Sequence, residues 1–354
     1  MRARALTYGL IIIVVATTTG CTADGSATNV ASREAVKLVT AREAVDQGGG
    51  GRMKLGFLTA AFPDLTLGEV ASWAASEGFD TLEVACWPAA GGERRRYAGV
   101  THIDVDSFDP DAVHELLGGH GLEISALAYY PNNLHPDAAH REEVNAHLLK
   151  VVDAAQALGV GVVGTFAGND QTKSPPENLV AFREIWPPLV AYSEERGVKI
   201  AIENCPMIFS YDEWPGGTNF ARSPAIWDEM FEAIPSPNFG LNLDPSHLIW
   251  QMIDYERVVY DYADRIFHVH AKDLEIDHEG LYRNGVLSLG IGWQVPRLPG
   301  LGEVRWDRFL AALYAVGYDH VVSIEHEDRA FEGDDELVKR GFLIARNALR
   351  PYIA

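Results

Sequence analysis

The stretch Arg265-Ile-Phe-His-Val-His-Ala-Lys-Asp273 reads as a buried β-strand that runs out of apolar residues and into ligand chemistry. Alternate side chains of a strand share a face, so His268, His270 and Lys272 project one way and Phe267, Val269 and Ala271 the other. Three nitrogen-bearing side chains on one face of a core strand need partners. Three further short apolar runs supply candidates: Ile200-Ala-Ile-Glu203, Leu241-Asn-Leu-Asp244-Pro-Ser-His247 and Val321-Val-Ser-Ile-Glu325. Each run meets an acid where it stops being apolar. Strands that deliver Glu, Asp with His three residues on, His and Glu at their carboxyl ends form a site pattern.

Outward from that stretch, a repeat of short apolar run followed by helical pattern begins at Met53. Strands are expected at 54–58, 81–85, 123–128, 161–166, 200–203 and 239–244, then in the opening stretch, then at 320–325. Thr66-Leu-Gly-Glu69 is a capping box that opens a helix through Glu77, and Gly78 stops it. Further helices are expected at 111–118, 138–158 and 177–195, the last bent at Pro187-Pro188. Others begin at Ser223-Pro224 and cover 255–262, 306–316 and 335–349. Eight strand-then-helix units in series fit a closed (β/α)₈ TIM barrel of the α/β class. An open doubly wound sheet would carry a Gly-rich turn after its first strand, and Thr59-Ala-Ala-Phe-Pro63 is not one. In a barrel the chemistry sits at the carboxyl ends of the strands, where all the acids and histidines named above fall. The longest excursion, 274–303, is rich in Gly, contains Tyr282, Arg283, Trp293 and Arg297, and reads as a loop covering the site.

The chain has 354 residues and a formal net charge of −21, which disfavours nucleic acid and anionic membrane as partners. Three scattered cysteines, Cys21, Cys86 and Cys205, make neither a disulfide framework nor a zinc ribbon. Residues 1–52 differ from the barrel at 53–354. Met1-Arg-Ala-Arg4 followed by the apolar run 10–16 has the form of a secretory signal, and Gly20-Cys21 resembles a lipoprotein cleavage site that would give a lipid anchor at Cys21. Thr18 replaces the aliphatic residue usual there. Residues 22–52 read as a polar tether ending in Gly48-Gly-Gly-Gly51. In the competing reading translation starts at Met53 and the barrel is cytoplasmic. The sequence leaves the oligomeric state open, a homo-oligomer included.

Two Glu, one Asp and one or two His suit a divalent ion such as manganese, magnesium, cobalt or zinc. An ion held by Glu203, Asp244, His270 and Glu325 could bind two adjacent sugar oxygens and stabilise an enediolate. Glu203 and Glu325, from strands five and eight, approach from opposite sides and form an acid/base pair. Lys272 would neutralise oxyanion charge, act as an acid or bind a substrate anion; its structural alternative is an ion pair with Asp273. His268, deeper on its strand, reads as a hydrogen-bonded core histidine. His247, His135, Trp293 and Arg283 are the expected substrate contacts. Arg94-Arg-Arg96 reads as a solvated charge run, and Tyr129 and Trp214 as loop packing or sugar-stacking rings.

On Glu203, Asp244 with His247, His270 and Glu325, the chain resembles the xylose isomerase-like barrel superfamily. That group contains sugar phosphate isomerases/epimerases, ketose 3-epimerases, inosose dehydratases and apurinic endonucleases. The resemblance covers 53–354 and implies one divalent metal, manganese first, held by those four residues, with the two glutamates as acid and base. It implies a sugar, sugar phosphate or polyol ketone as substrate, isomerised or epimerised. Where the ketose 3-epimerases carry an arginine after the strand-seven histidine, this chain has Lys272-Asp273, closer to the inosose dehydratase type, so β-elimination by a lyase is the alternative. A non-catalytic sugar-binding barrel is the third reading. The endonuclease branch needs more histidines than His102 and His135 and a basic groove that this chain lacks.

Overall fold

The apolar runs align as parallel strands because each is followed by a helix-sized segment that carries the chain back to the starting end. The computed structural model describes residues 52–89, 99–208, 217–286 and 292–353. The leader with Cys21, the run Arg94, Arg95, Arg96, Tyr97, and the loop residues Tyr211 and Trp214 lie outside the described residues. In chain order the elements are β1 (Lys54–Leu58), α1 (Leu67–Ser76), β2 (Thr81–Ala85), α2 (Pro110–Gly119), β3 (Glu123–Ala128), α3 (Ala138–Ala157), β4 (Val162–Thr165) and α4 (Pro175–Glu194). Then follow β5 (Lys199–Glu203), α5 (Pro224–Ala233), β6 (Phe239–Leu243), α6 (Ser246–Ile249), α7 (Tyr255–Asp261), β7 (Ile266–Ala271), β8 (Asp273–Ile276) and α8 (His278–Asn284). The chain closes with β9 (Gln294–Arg297), α9 (Trp306–Ala315), β10 (Val321–Ile324) and α10 (Asp335–Leu349).

Eight of these strands close into a parallel barrel in the order β1-β10-β7-β6-β5-β4-β3-β2, the expected (β/α)₈ architecture. The seam is made by the first and last strands, with Lys54 opposite Val321 and Phe57 opposite Ile324. On its outer side Phe57 packs against Phe342 of α10, ring centroids 4.6 Å apart, so the last helix covers the closure. The capping box at Thr66 is formed: the Glu69 amide donates to Thr66 Oγ1 and the Thr66 amide donates to Glu69 Oε2. Pro224 takes the first position of α5, but Ser223 makes no side-chain capping bond.

The excursion after β7 is not a structureless loop. β8 and β9 form an antiparallel hairpin outside the barrel, and α8 lies between them. Two four-residue strands among glycines are too short to give a readable alternation, which is why the pattern hid them. Asp273 roots this hairpin. Its buried carboxylate accepts from the amides of Leu274, Gly300 and Val304 and from Trp306 Nε1, at 2.9, 3.0, 2.9 and 2.9 Å. Gly302 lies so close that a Cβ there would come within 2.4 Å of Asp273 Oδ1. Asp273 is therefore engaged by the hairpin and does not pair with Lys272. Asp273→Ala leaves these buried donors without an acceptor and is expected to cost roughly 3 kcal/mol or more, read from the shift in denaturant midpoint.

Candidate active site

The barrel brings the strand-end groups together. Glu203 ends β5, Asp244 follows β6, His270 lies near the end of β7, Glu325 follows β10, and His247 sits on α6, which begins two residues after Asp244. All five are buried. His270 Nδ1 stands 3.5 Å from Glu203 Oε1 and 3.6 Å from Glu325 Oε2, so the two glutamates flank one imidazole nitrogen. His247 Nε2 stands 3.5 Å from Glu203 Oε1 and 3.3 Å from Asp244 Oδ2.

Four of these buried atoms, Glu203 Oε1, Asp244 Oδ2, His247 Nε2 and His270 Nδ1, have no hydrogen-bond partner. A buried polar atom left this way is costly unless something else satisfies it. Donors placed tetrahedrally around one ion at bond lengths of roughly 2.0–2.2 Å lie about 3.3–3.6 Å apart, close to the separations found here. One ligand atom each from Glu203, Asp244, His247 and Glu325 fits within a 4.8 Å span. The residues present fit a divalent cation, and His247 reaches into its donor set, beyond the substrate contact expected from sequence.

The group that aims His270 is one that sequence reading missed. Glu83, in the middle of β2 and fully buried, accepts from His270 Nε2–H at 2.8 Å. It also accepts from Ser323 Oγ at 2.8 Å and Tyr130 Oη at 2.6 Å. Glu83 thus holds the Nε2 side of His270 and turns Nδ1 toward Glu203 and Glu325. Tyr130 can approach because β4 has Gly164 there, where a Cβ would lie 2.2 Å from the tyrosine oxygen. Asn242 Nδ2 donates to Tyr130 Oη at 2.8 Å, which leaves Asn242 Oδ1 to accept from His268 Nδ1 at 3.2 Å. The other ring nitrogen of His268 meets Ser125 Oγ at 3.1 Å, so His268 is the hydrogen-bonded core histidine that its depth implied. The only signal for Glu83 was one acid inside the apolar run Thr81-Leu-Glu-Val-Ala85.

Lys272 is almost fully buried among acids. Its ammonium donates to Glu325 Oε2 at 2.6 Å and Glu327 Oε2 at 3.0 Å and lies 3.3 Å from Asp244 Oδ2. Burial opposes its charge, but Glu325, Glu327 and Asp244 outweigh burial and hold the ammonium well above the ordinary lysine value. Burial, then repulsion from Glu325, pushes Glu203 up to about 8; burial likewise lifts Asp244 to about 6. Burial also opposes charge on His270, yet Glu83, Glu325 and Glu203 raise it well above the usual imidazole range. Beside the cluster a cavity is lined by Cys205, Met207, His247, Trp250, Lys272 and the hairpin residue Pro296, among others.

Trp293 is buried edge-on against Trp250, centroids 6.3 Å apart. His135 is half-buried at the start of α3, its Nδ1 accepting from the Asp137 amide. Arg283 is exposed on α8 and paired with Glu279 at 2.6 Å. Among the described residues, neither His135 nor Arg283 makes a hydrogen bond or ion pair to the cluster. Tyr129 packs edge-on to Trp87 and His147.

The family profile described as xylose isomerase-like TIM barrel matches residues 71–347. The chain belongs to that family. It is 27% identical over 318 residues to a Bacillus subtilis (strain 168) protein named uncharacterized protein YfiH, spanning 78% of this chain and 93% of that one. Among solved structures it is similar to the IOLI protein with a bound zinc atom, TM-score 0.63 at 19% identity, covering 85% of this chain and all 100% of the other. It is also similar to the D-psicose 3-epimerase from Clostridium cellulolyticum H10 with D-tagatose, TM-score 0.61 at 16% identity, covering 85% and 99%. A probable 3-DHS dehydratase, AsbF, from Bacillus anthracis gives TM-score 0.61 at 15% identity, covering 84% and 99%. At these identities the structural likenesses establish the shared barrel.

Two outcomes follow from the geometry. Glu83→Gln, which weakens the hold on His270, is expected to lower Mn²⁺ affinity about 10–100-fold without unfolding the barrel, measured by titration calorimetry. Because His270 and Glu203 both carry protons above their ordinary pKa values, a cation must displace protons to bind. Mn²⁺ affinity should therefore rise with pH up to about 8, with proton release seen as a buffer-dependent binding enthalpy. A pH-independent affinity would contradict the assignment.

Proposed function

We propose that the barrel, from residue 53 on, is a divalent-metal-dependent isomerase or epimerase of a sugar or related polyol ketone. The observation that carries this reading is the approach of both Glu203 and Glu325 to His270 Nδ1, at 3.5 and 3.6 Å. Glu203, Asp244, His270 and Glu325 would hold the ion, with manganese suited to this oxygen-rich set and magnesium, cobalt or zinc as alternatives. When bound, a divalent cation polarises neighbouring carbonyl and hydroxyl oxygens and makes the carbon between them more acidic. The family membership and the D-tagatose in the related epimerase support a sugar-sized substrate.

One glutamate takes a proton from the substrate carbon and the other returns one, to the adjacent carbon in isomerisation or to the opposite face in epimerisation. Burial and the neighbouring Glu325 raise the proton affinity of Glu203, the direction a carbon base requires. Lys272, held by Glu325 and Glu327, offers a positive charge beside the developing oxyanion. The hairpin residues Leu274, Gln294 and Pro296 help wall the cavity and limit water around the reacting carbon.

A second reading, elimination of water or an alkoxy group, is favoured by the 2.6 Å contact between Lys272 Nζ and Glu325 Oε2, which provides an acid for a departing oxygen next to a base. Deuterium incorporation from solvent into a panel of ketoses and inososes, followed by NMR with Mn²⁺ present, separates the two. Exchange with an intact carbon skeleton supports isomerisation or epimerisation, and an unsaturated product supports elimination. Glu203→Gln and Glu325→Gln should each lower exchange by about 10²–10⁴-fold; wild-type exchange in both variants would refute the acid/base pair.

A further inference from the structure

We propose that Glu203, Cys205 and His247 form a second cation position, suited to thiophilic ions, beside the four-donor set. The proposal rests on the reading above only through the shared residue Glu203. One ligand atom from each of the three lies within 4.8 Å of the others. Cys205 is 3% exposed and His247 7%, so the donors are sheltered from bulk water.

The observation that calls for a ligand is His247 Nε2. It is buried and has no hydrogen-bond partner. His247 Nε2 also lies 3.3 Å from Asp244 Oδ2, so this nitrogen can serve either donor group, and Cys205 is the donor that sets the second group apart. The sulfur is fixed in place: the Met207 amide donates to Cys205 Sγ at 3.4 Å. Met207 does so from a left-handed backbone conformation, φ 55°, rare for a non-glycine residue. Cys205, Met207 and His247 line the same cavity, which gives an ion a route in.

The two donor sets differ in chemical character. Three carboxylates and one imidazole favour hard or borderline ions, whereas sulfur, imidazole and one carboxylate favour zinc, cobalt and cadmium. On binding, the S–H bond breaks, a sulfur–metal bond forms and the proton leaves to solvent. An ion there occupies His247 and Glu203 together, so excess zinc would inhibit a manganese-loaded enzyme.

Cobalt(II) titration of the full-length protein under reducing conditions tests this by absorption spectroscopy. A thiolate-to-cobalt charge-transfer band in the near ultraviolet is expected in the wild type and in Asp244→Asn, which changes a donor of the hard set and none of the three proposed here. Cys205→Ser should lose that band while keeping the weaker visible bands of cobalt bound through oxygen and nitrogen. His247→Gln should weaken the cobalt concentration dependence of the band at least tenfold. A wild-type cobalt spectrum without the sulfur band, or a band that survives in Cys205→Ser, would overturn the proposal. A sulfur band in the wild type with no residual cobalt spectrum in Cys205→Ser would support it while counting against the four-donor site.

Discussion

Carboxylates crowded away from water need a compensating positive charge, and that requirement governs the carboxyl end of this barrel. Asp244, Glu325 and Glu327 converge around Lys272, and Glu203 and Glu325 both approach His270. Burial raises the proton affinity of Glu203 and Asp244, and it is outweighed by the acids at Lys272 and His270. One ammonium and one imidazolium among so many acids leave the group short of positive charge. A divalent cation is the simplest remedy, and the orphaned oxygens and nitrogens point where it would sit.

The fold creates that crowding at little cost in backbone order. Side chains at strand ends of a closed barrel point toward the axis, so residues distant in sequence meet without a long loop to arrange them. The inner layers stiffen the arrangement. Glu83 holds His270 from across the barrel, Tyr130 and Ser323 hold Glu83, and Asn242 links Tyr130 to His268. Outside the barrel, Asp273 anchors the β8–β9 hairpin, whose residues wall one side of the cavity. Adjacent residues Lys272 and Asp273 thereby serve different ends, one facing the cluster and the other the hairpin.

Much of this was legible in the sequence because a barrel strand leaves two marks: an apolar run and the polar residue that ends it. Glu203, Asp244, His270 and Glu325 each carry that mark, and their convergence follows from the eightfold repeat. Glu83 does not carry it. It lies inside its run, and its partner His270 is 187 positions away, a relation only the closed sheet creates. Tyr130 depended likewise on the space left by Gly164. An ion pair with Asp273 was only the structural alternative for Lys272, and neighbours on a strand face opposite ways. His135 and Arg283 fall in segments that the sequence reads as loops, whose conformation is set by local contacts such as the Arg283–Glu279 pair.

The central claim, that these strand ends hold one divalent ion, is tested most directly by diffraction from crystals grown with Mn²⁺, with data collected on both sides of the manganese absorption edge. The account predicts a single strong anomalous peak bonded to Glu203, Asp244, His270 and Glu325. Well-ordered density for those side chains with no peak among them, at a manganese concentration that saturates binding in solution, would contradict it.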